Sequence, residues 1–134
     1  MNYVGKQQNA YQQNALQTAS PGELTLMLFN GCLKFMRVSA RAIETGDHEK
    51  KNINITKAQM IVRELMVTLR RENETTEQMI QLYDFVHDAL VRANIHNDAG
   101  ALEDAETIMT EFRDTWKEVI RIDRKERHTP GVGG

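Results

Sequence analysis

The sequence has little of the residues that interrupt helices or cross-link loops. Proline occurs only at positions 21 and 130, so nothing between them forces a kink in a helix. The single cysteine, Cys32, excludes an internal disulfide framework. Its apolar neighbours predict a small buried hydrophobe, not a reactive thiol. The chain must therefore be held together by a hydrophobic core.

Neither the charge nor the hydropathy of the chain indicates a polyanionic or membrane partner. The formal net charge is −2 over 134 residues, and the two signs are interspersed. This balance gives no electrostatic reason to expect nucleic acid or an anionic membrane. No stretch reaches the ~18 apolar residues of a membrane span, and the N-terminus lacks the basic-then-apolar order of a signal peptide. We expect a cytoplasmic protein.

What the sequence does contain is a set of start and stop positions for four long helices. Ser20, Pro21 and Glu23 form an N-cap, a first-turn proline and a capping-box glutamate. Gly46 suits the left-handed position that ends a helix. The further predicted N-caps are Asp47, Thr75 (in a second capping box with Gln78) and Asp98. The predicted helices end at about residues 45, 71, 97 and 126.

These helices predict an all-α fold, an antiparallel four-helix bundle. Connections this short make sequential helices antiparallel neighbours, and no β-type alternation competes with the helical periodicity. We expect residues 20–127 to form the bundle. Residues 1–19, rich in Gln and Asn, are expected to be a flexible N-terminal segment that can cover a groove. Residues 128–134 are expected to be a disordered tail.

The apolar residues do not all fit one core. The fourth helix has a single apolar face, on which Trp116 is predicted as a core anchor. The second helix has a core stripe and, nearly opposite, a second line at Ile53, Met60 and Val67. The third helix has its core face at Met79, Leu82, Tyr83, Val86, Ala89, Leu90 and Ala93. Ile80 and Val91 lie off that face.

This surplus of apolar surface predicts a partner site, because exposed apolar patches of a few hundred Å² usually mark one. The first helix, apolar around most of its circumference, belongs at the centre of the structure. Dimerisation, or coverage by residues 1–19, would hide the same stripes equally well. The residues alone leave these alternatives open.

Enzymatic and metal-dependent functions find little support. Asp84-x-x-His87 has the spacing used in carboxylate-bridged di-metal bundles, but the pair occurs once and lies away from the core face. The four histidines are scattered, none is paired with Cys32 in a nucleophile motif, and there is no glycine-rich phosphate loop. We therefore expect no catalytic residue, no metal ligand and no cofactor.

Short motifs along nearly the whole chain, about residues 9 to 127, resemble those of the FliS family of flagellin-specific flagellar export chaperones, closest to members from Bacillus-type bacteria. The matching segments are Tyr11-Gln12-Gln13-Asn14, Ser20-Pro21-Gly22-Glu23-Leu24-Thr25-Leu26-Met27-Leu28-Phe29-Asn30-Gly31, Lys57-Ala58-Gln59, Asn94-Ile95 and Phe112-Arg113-Asp114-Thr115-Trp116. They occur in the family's order and at its spacing.

The resemblance implies a chaperone that binds the disordered C-terminal segment of flagellin in hydrophobic grooves. Such a chaperone prevents early polymerisation and aids delivery to a protein of the export gate. It also implies that an N-terminal segment with a tyrosine matching Tyr11 takes part in flagellin binding and can cover part of the groove.

Helix-in-groove recognition agrees with the unused apolar stripes. The predicted partner-binding residues are Tyr11, Leu16, Ile53, Met60, Val67, Ile80 and Val91, with Tyr11 and Leu16 in a lid over the empty groove. The alternative hypothesis is a self-associating adaptor, such as a homodimer, whose extra stripes form the oligomer interface.

Overall fold

A computed structural model describes residues 19–69 and 74–127, and these residues form four helices. They are α1 (Pro21–Thr45), α2 (His48–Thr68), α3 (Glu74–His96) and α4 (Ala99–Arg127). The predicted ends of the first, third and fourth helices are confirmed to within one residue. The second helix stops three residues earlier than predicted, because Leu69 is already extended.

Capping side chains account for most of the helix starts. The Ser20 hydroxyl accepts a hydrogen bond from the Glu23 amide at 3.3 Å, and Asp47 and Asp98 accept corresponding bonds at 3.1 and 3.0 Å. Gly46 has φ 73°, the left-handed conformation that glycine adopts without strain. The predicted capping box at Thr75 is wrong: α3 begins at Glu74, and an N-cap must lie outside the helix that it caps.

The helices form an antiparallel four-helix bundle, as predicted. Each helix packs against its neighbours in sequence, and α4 returns to pack against α1. Two ion pairs across the α1–α4 seam show the opposed directions: Glu23, early in α1, pairs with Arg124, late in α4. Arg37, late in α1, pairs with Glu106, early in α4.

The core is complete in only one half of the bundle. We call the closed half the part around the turns at residues 46–47 and 97–98, and the open half the opposite end. Buried residues of α1 begin at Phe29, and those of α4 end at Met109. No described side chain in residues 21–28 or 110–126 is buried. The open half is therefore where inward-facing apolar side chains remain accessible.

In the closed half, a buried lysine links α2 to the C-terminal end of α3 by hydrogen bonds. Lys51 of α2 is 6% exposed, and its ammonium donates to the Asn94 carbonyl at 2.8 Å and to the Asn97 side-chain oxygen. Asn97 has φ 51°, which asparagine tolerates better than most residues. The ammonium thus provides a donor for hydrogen-bond acceptors at the C-terminus of α3, where a positive charge also interacts favourably with the helix dipole.

Candidate protein-binding surfaces

An apolar groove lies in the open half, between α3 and α4. Its volume is about 320 Å³, and exposed Glu111 and Thr115 contribute to its lining. Its apolar lining comes from three helices: Phe29 of α1, Met79 and Leu82 of α3, and Ile108, Phe112 and Trp116 of α4. We call it the α3–α4 groove. Concave, mostly apolar sites of this kind are typical binding sites.

Contacts within the bundle hold the aromatic rings of this groove in place. Phe112 stacks on Tyr83, with ring centroids 4.7 Å apart, and lies parallel to Phe29 at 6.1 Å. The Trp116 indole N–H donates to the Gly22 carbonyl at 2.8 Å. Since its polar atom is already bonded to α1, Trp116 can present apolar surface to a ligand without a desolvation penalty. The groove is preformed, which lowers the entropic cost of binding.

The groove exists because α3 offers few apolar side chains to the last turns of α4. The stacking of Tyr83 on Phe112 places Met79 opposite Trp116 in the antiparallel pair. The five residues before Met79, Glu-Thr-Thr-Glu-Gln, are all polar. Beyond Trp116, Val119 and Ile122 remain 45% and 43% exposed.

A second apolar surface runs along the outside of α2. Ile53, Met60 and Val67 are 46%, 62% and 79% exposed, and we call them the α2 line. Their spacing of seven puts them on one side of the helix, away from core residues such as Ile55 and Val62. The sequence-based prediction that these three side chains lie off the core is confirmed.

The other predicted partner-binding residues do not lie on an exposed surface of the described structure. Ile80 is 7% exposed and belongs to the core, so its predicted place on the surface is wrong. Residues 80, 87 and 94 share one side of α3, and His87 and Asn94 bond to α2, so this side forms the α2–α3 seam. Val91 is half-buried. Tyr11 and Leu16 lie outside the described residues.

Sequence reasoning missed the α3–α4 groove. It assigned Met79, Leu82 and Trp116 to the core, yet Leu82 is 43% exposed and all three line the groove. The useful pattern was the polar run at the start of α3. It stands opposite large apolar residues late in α4, and a polar run cannot cover them.

Cys32 and Tyr83 are buried, and His87 is hydrogen-bonded to α2. Burial raises the pKa of the Cys32 thiol to about 12, so the thiol stays protonated at neutral pH. Burial, with a smaller contribution from Cys32, also raises the pKa of Tyr83 to about 12. His87 accepts a hydrogen bond from Arg63 at 3.2 Å, and Asp84 is exposed. Across residues 19–69 and 74–127, no three His, Cys, Asp or Glu side chains cluster as a metal site.

None of the four described helices is both long enough and apolar enough to cross a membrane. A four-helix bundle with a preformed apolar groove and an apolar line on its surface belongs to the class of protein-binding helical bundles. Within that class, residues 4–123 match the family model of the flagellar protein FliS. The chain therefore belongs to the FliS family.

Known proteins agree with this assignment. The chain is 54% identical to the flagellar secretion chaperone FliS of Bacillus subtilis, over 93% of this chain and 92% of that protein. It is 32% identical to the Escherichia coli flagellar secretion chaperone FliS, covering 88% and 92%. A crystal structure of a bacterial flagellar chaperone superposes with a TM-score of 0.70 at 14% identity, covering 86% of this chain and 98% of that one.

Proposed function

We propose that this flagellar secretion chaperone acts in the cytoplasm on flagellin. It binds the disordered C-terminal segment of flagellin as helices, prevents premature polymerisation and helps deliver flagellin to a protein of the export gate. The observation that carries the proposal is the α3–α4 groove, a preformed apolar surface with aromatic walls. An amphipathic helix would place its i, i+3 and i+4 apolar side chains in such a groove.

The energetics of coupled folding favour the use of both apolar surfaces. Ordering a disordered client costs roughly 2–5 kcal/mol or more and is typically offset by burying about 1,000–3,000 Å². A groove of about 320 Å³ accommodates only part of such a segment. The α2 line offers further apolar contact on another side of the bundle, so the client would wrap around it. Val91, which is half-buried, remains a minor candidate contact.

Residues 1–19 are proposed to cover the groove when no client is bound, with Tyr11 and Leu16 as the covering side chains. This part of the chain joins the bundle in the open half. Pro21 and Gly22 line a cleft that also contains Trp116. A lid at this point would compete with the client. The apparent affinity for the client would then fall in proportion to the fraction of molecules in which the groove is uncovered.

The test is a titration of the full chain with a synthetic peptide of the flagellin C-terminal segment, followed by circular dichroism. Helix gained beyond the sum of the two components would indicate coupled folding. Leu82→Glu in the groove and Met60→Glu on the α2 line should each weaken binding by about ten-fold or more, since each places a charge in an apolar contact. Ile95→Glu is the matched control, because Ile95 is 68% exposed and belongs to neither surface.

The same experiment can contradict the proposed flagellin-binding surfaces. If all three variants bind the peptide as the unmodified chain does, neither surface is the flagellin site. The alternative function, a self-associating adaptor, draws on the same α2 line. Sedimentation at several concentrations separates the two: a dimer that dissociates in Met60→Glu and never binds the peptide would favour self-association.

A further inference from the structure

A cationic cleft lies in the closed half and shares no lining residue with the α3–α4 groove. It has a volume of about 430 Å³ and is formed by the outer face of α1 and the first turn of α2. Four cations, Lys34, Arg37, Arg41 and Lys50, surround an apolar floor of Val38 and Ala42. We call this surface the cationic cleft.

Three of these four cations form no ion pair in the part of the chain that the structure describes. Lys34, Arg41 and Lys50 are exposed and form no ion pair with any described side chain. Arg37 pairs with Glu106 at 3.2 Å, but its side chain remains 57% exposed. Like charges held around one concave surface raise its local positive potential.

The cleft belongs to a wider separation of charge. Helices α1 and α2 contain seven Lys and Arg residues against four Asp and Glu, a net charge of +3. Helices α3 and α4 contain seven against twelve, a net charge of −5. This imbalance orients an approaching acidic partner toward the α1–α2 side and repels it from the opposite side.

We propose that the cationic cleft binds an acidic segment of a partner protein, at a surface separate from the flagellin site. The apolar floor at Val38 and Ala42 suits a peptide with interspersed apolar side chains. Nucleic acid and anionic membranes fit less well, because phosphate backbones and lipid headgroups offer no apolar side chains to this floor. Since the cleft and the groove share no lining residue, both can be occupied at once.

The test uses the full chain and a fluorescein-labelled helical peptide built from repeats of Glu-Ala-Leu-Glu, followed by fluorescence anisotropy. A peptide with Gln in place of every Glu is the neutral control. We expect the acidic peptide to bind at least about ten-fold more tightly than the neutral one at low salt, and to lose this advantage at high salt.

Matched variants locate the binding. Lys34→Glu with Arg41→Glu should reduce affinity for the acidic peptide at least about ten-fold, because two attractive contacts become repulsive. Arg92→Glu with Lys117→Glu changes the net charge equally, at exposed positions outside the cleft, and should have a much smaller effect. Circular dichroism confirms that each variant is folded. Flagellin-peptide binding by the Lys34–Arg41 variant reports separately on the proposed function.

Several results would overturn the proposal. One is equal binding of the acidic and neutral peptides, and another is an equal loss in both double variants. Tighter binding of single-stranded DNA or anionic vesicles than of the acidic peptide would assign the cleft to a polyanion instead. A concentration-dependent dimer abolished by Lys34→Glu with Arg41→Glu would assign it to a second copy of the chain.

Discussion

The closed and open halves of the bundle use the same helices but fill the interior with side chains of different size. In the closed half, the inward positions of α4 include Ala101 and Ala105, which let neighbouring helices approach closely. In the open half the same face carries Phe112 and Trp116, and polar residues at the start of α3 leave them only partly covered. One half is closely packed, whereas the other leaves inward-facing apolar side chains accessible.

The largest expected difference between the halves is the loss of stability when a leucine is replaced by alanine. Leu90 of α3 is 0% exposed and Leu82, two turns earlier, is 43% exposed. Leu90→Ala should lower the free energy of unfolding by about 2–5 kcal/mol, since it removes buried methyl groups and leaves a cavity. Leu82→Ala should cost less than about 1 kcal/mol. Urea unfolding measures both values, and similar losses at the two positions would abolish the distinction between the halves.

The next effect tests the buried lysine. Lys51→Met keeps the length of the side chain but leaves the Asn94 carbonyl and the Asn97 side chain without their donor. The expected loss is about 1–3 kcal/mol, the contribution typical of hydrogen bonds to a charged group. Lys50→Met, at the exposed neighbouring position, serves as the control and should change stability by about 0.5 kcal/mol or less. If Lys51→Met is stabilising, the ammonium is not what holds this half closed.

The smallest expected effect is a pH dependence from Cys32. Its thiol pKa is about 12 in the folded chain and about 8.5 when unfolded. Because the folded pKa is the higher one, the stabilisation is complete below about pH 8.5 and is lost as pH rises toward 12. The loss at pH 10 should be about 1–2 kcal/mol.

Urea midpoints measured from pH 7 to pH 10 check this prediction. Cys32→Ala should flatten the decline over that range, because the buried Tyr83, with a pKa of about 12 in the folded chain, contributes mainly above its ordinary value of about 10. An unchanged slope in Cys32→Ala would show that another group causes the decline.

Much of the fold could be predicted from the sequence because local chemistry determines it. Ser20, Gly46, Asp47 and Asp98 mark helix ends through bonds within a few residues, and the structure confirms them. The α2 line was likewise visible, since helical periodicity shows which side of a helix faces away from the core.

The α3–α4 groove could not be predicted from local sequence patterns. Periodicity shows that Met79, Leu82 and Trp116 face inward, but not whether a neighbouring helix covers them. That depends on the relative height of α3 and α4, which distant contacts such as Tyr83 against Phe112 determine. Ile80 shows the opposite error, because a position off the main core face can still be buried in a seam between two helices.

Trp116 is the only tryptophan in the chain, and it lines the groove. The intrinsic fluorescence of the protein therefore arises mainly from a residue in the wall of the candidate binding site, so it can report on binding there. Exchange of water for apolar side chains around the indole should shift the emission to shorter wavelength. Occupancy of the groove could then be followed in the unlabelled protein, against a tyrosine background from only three residues.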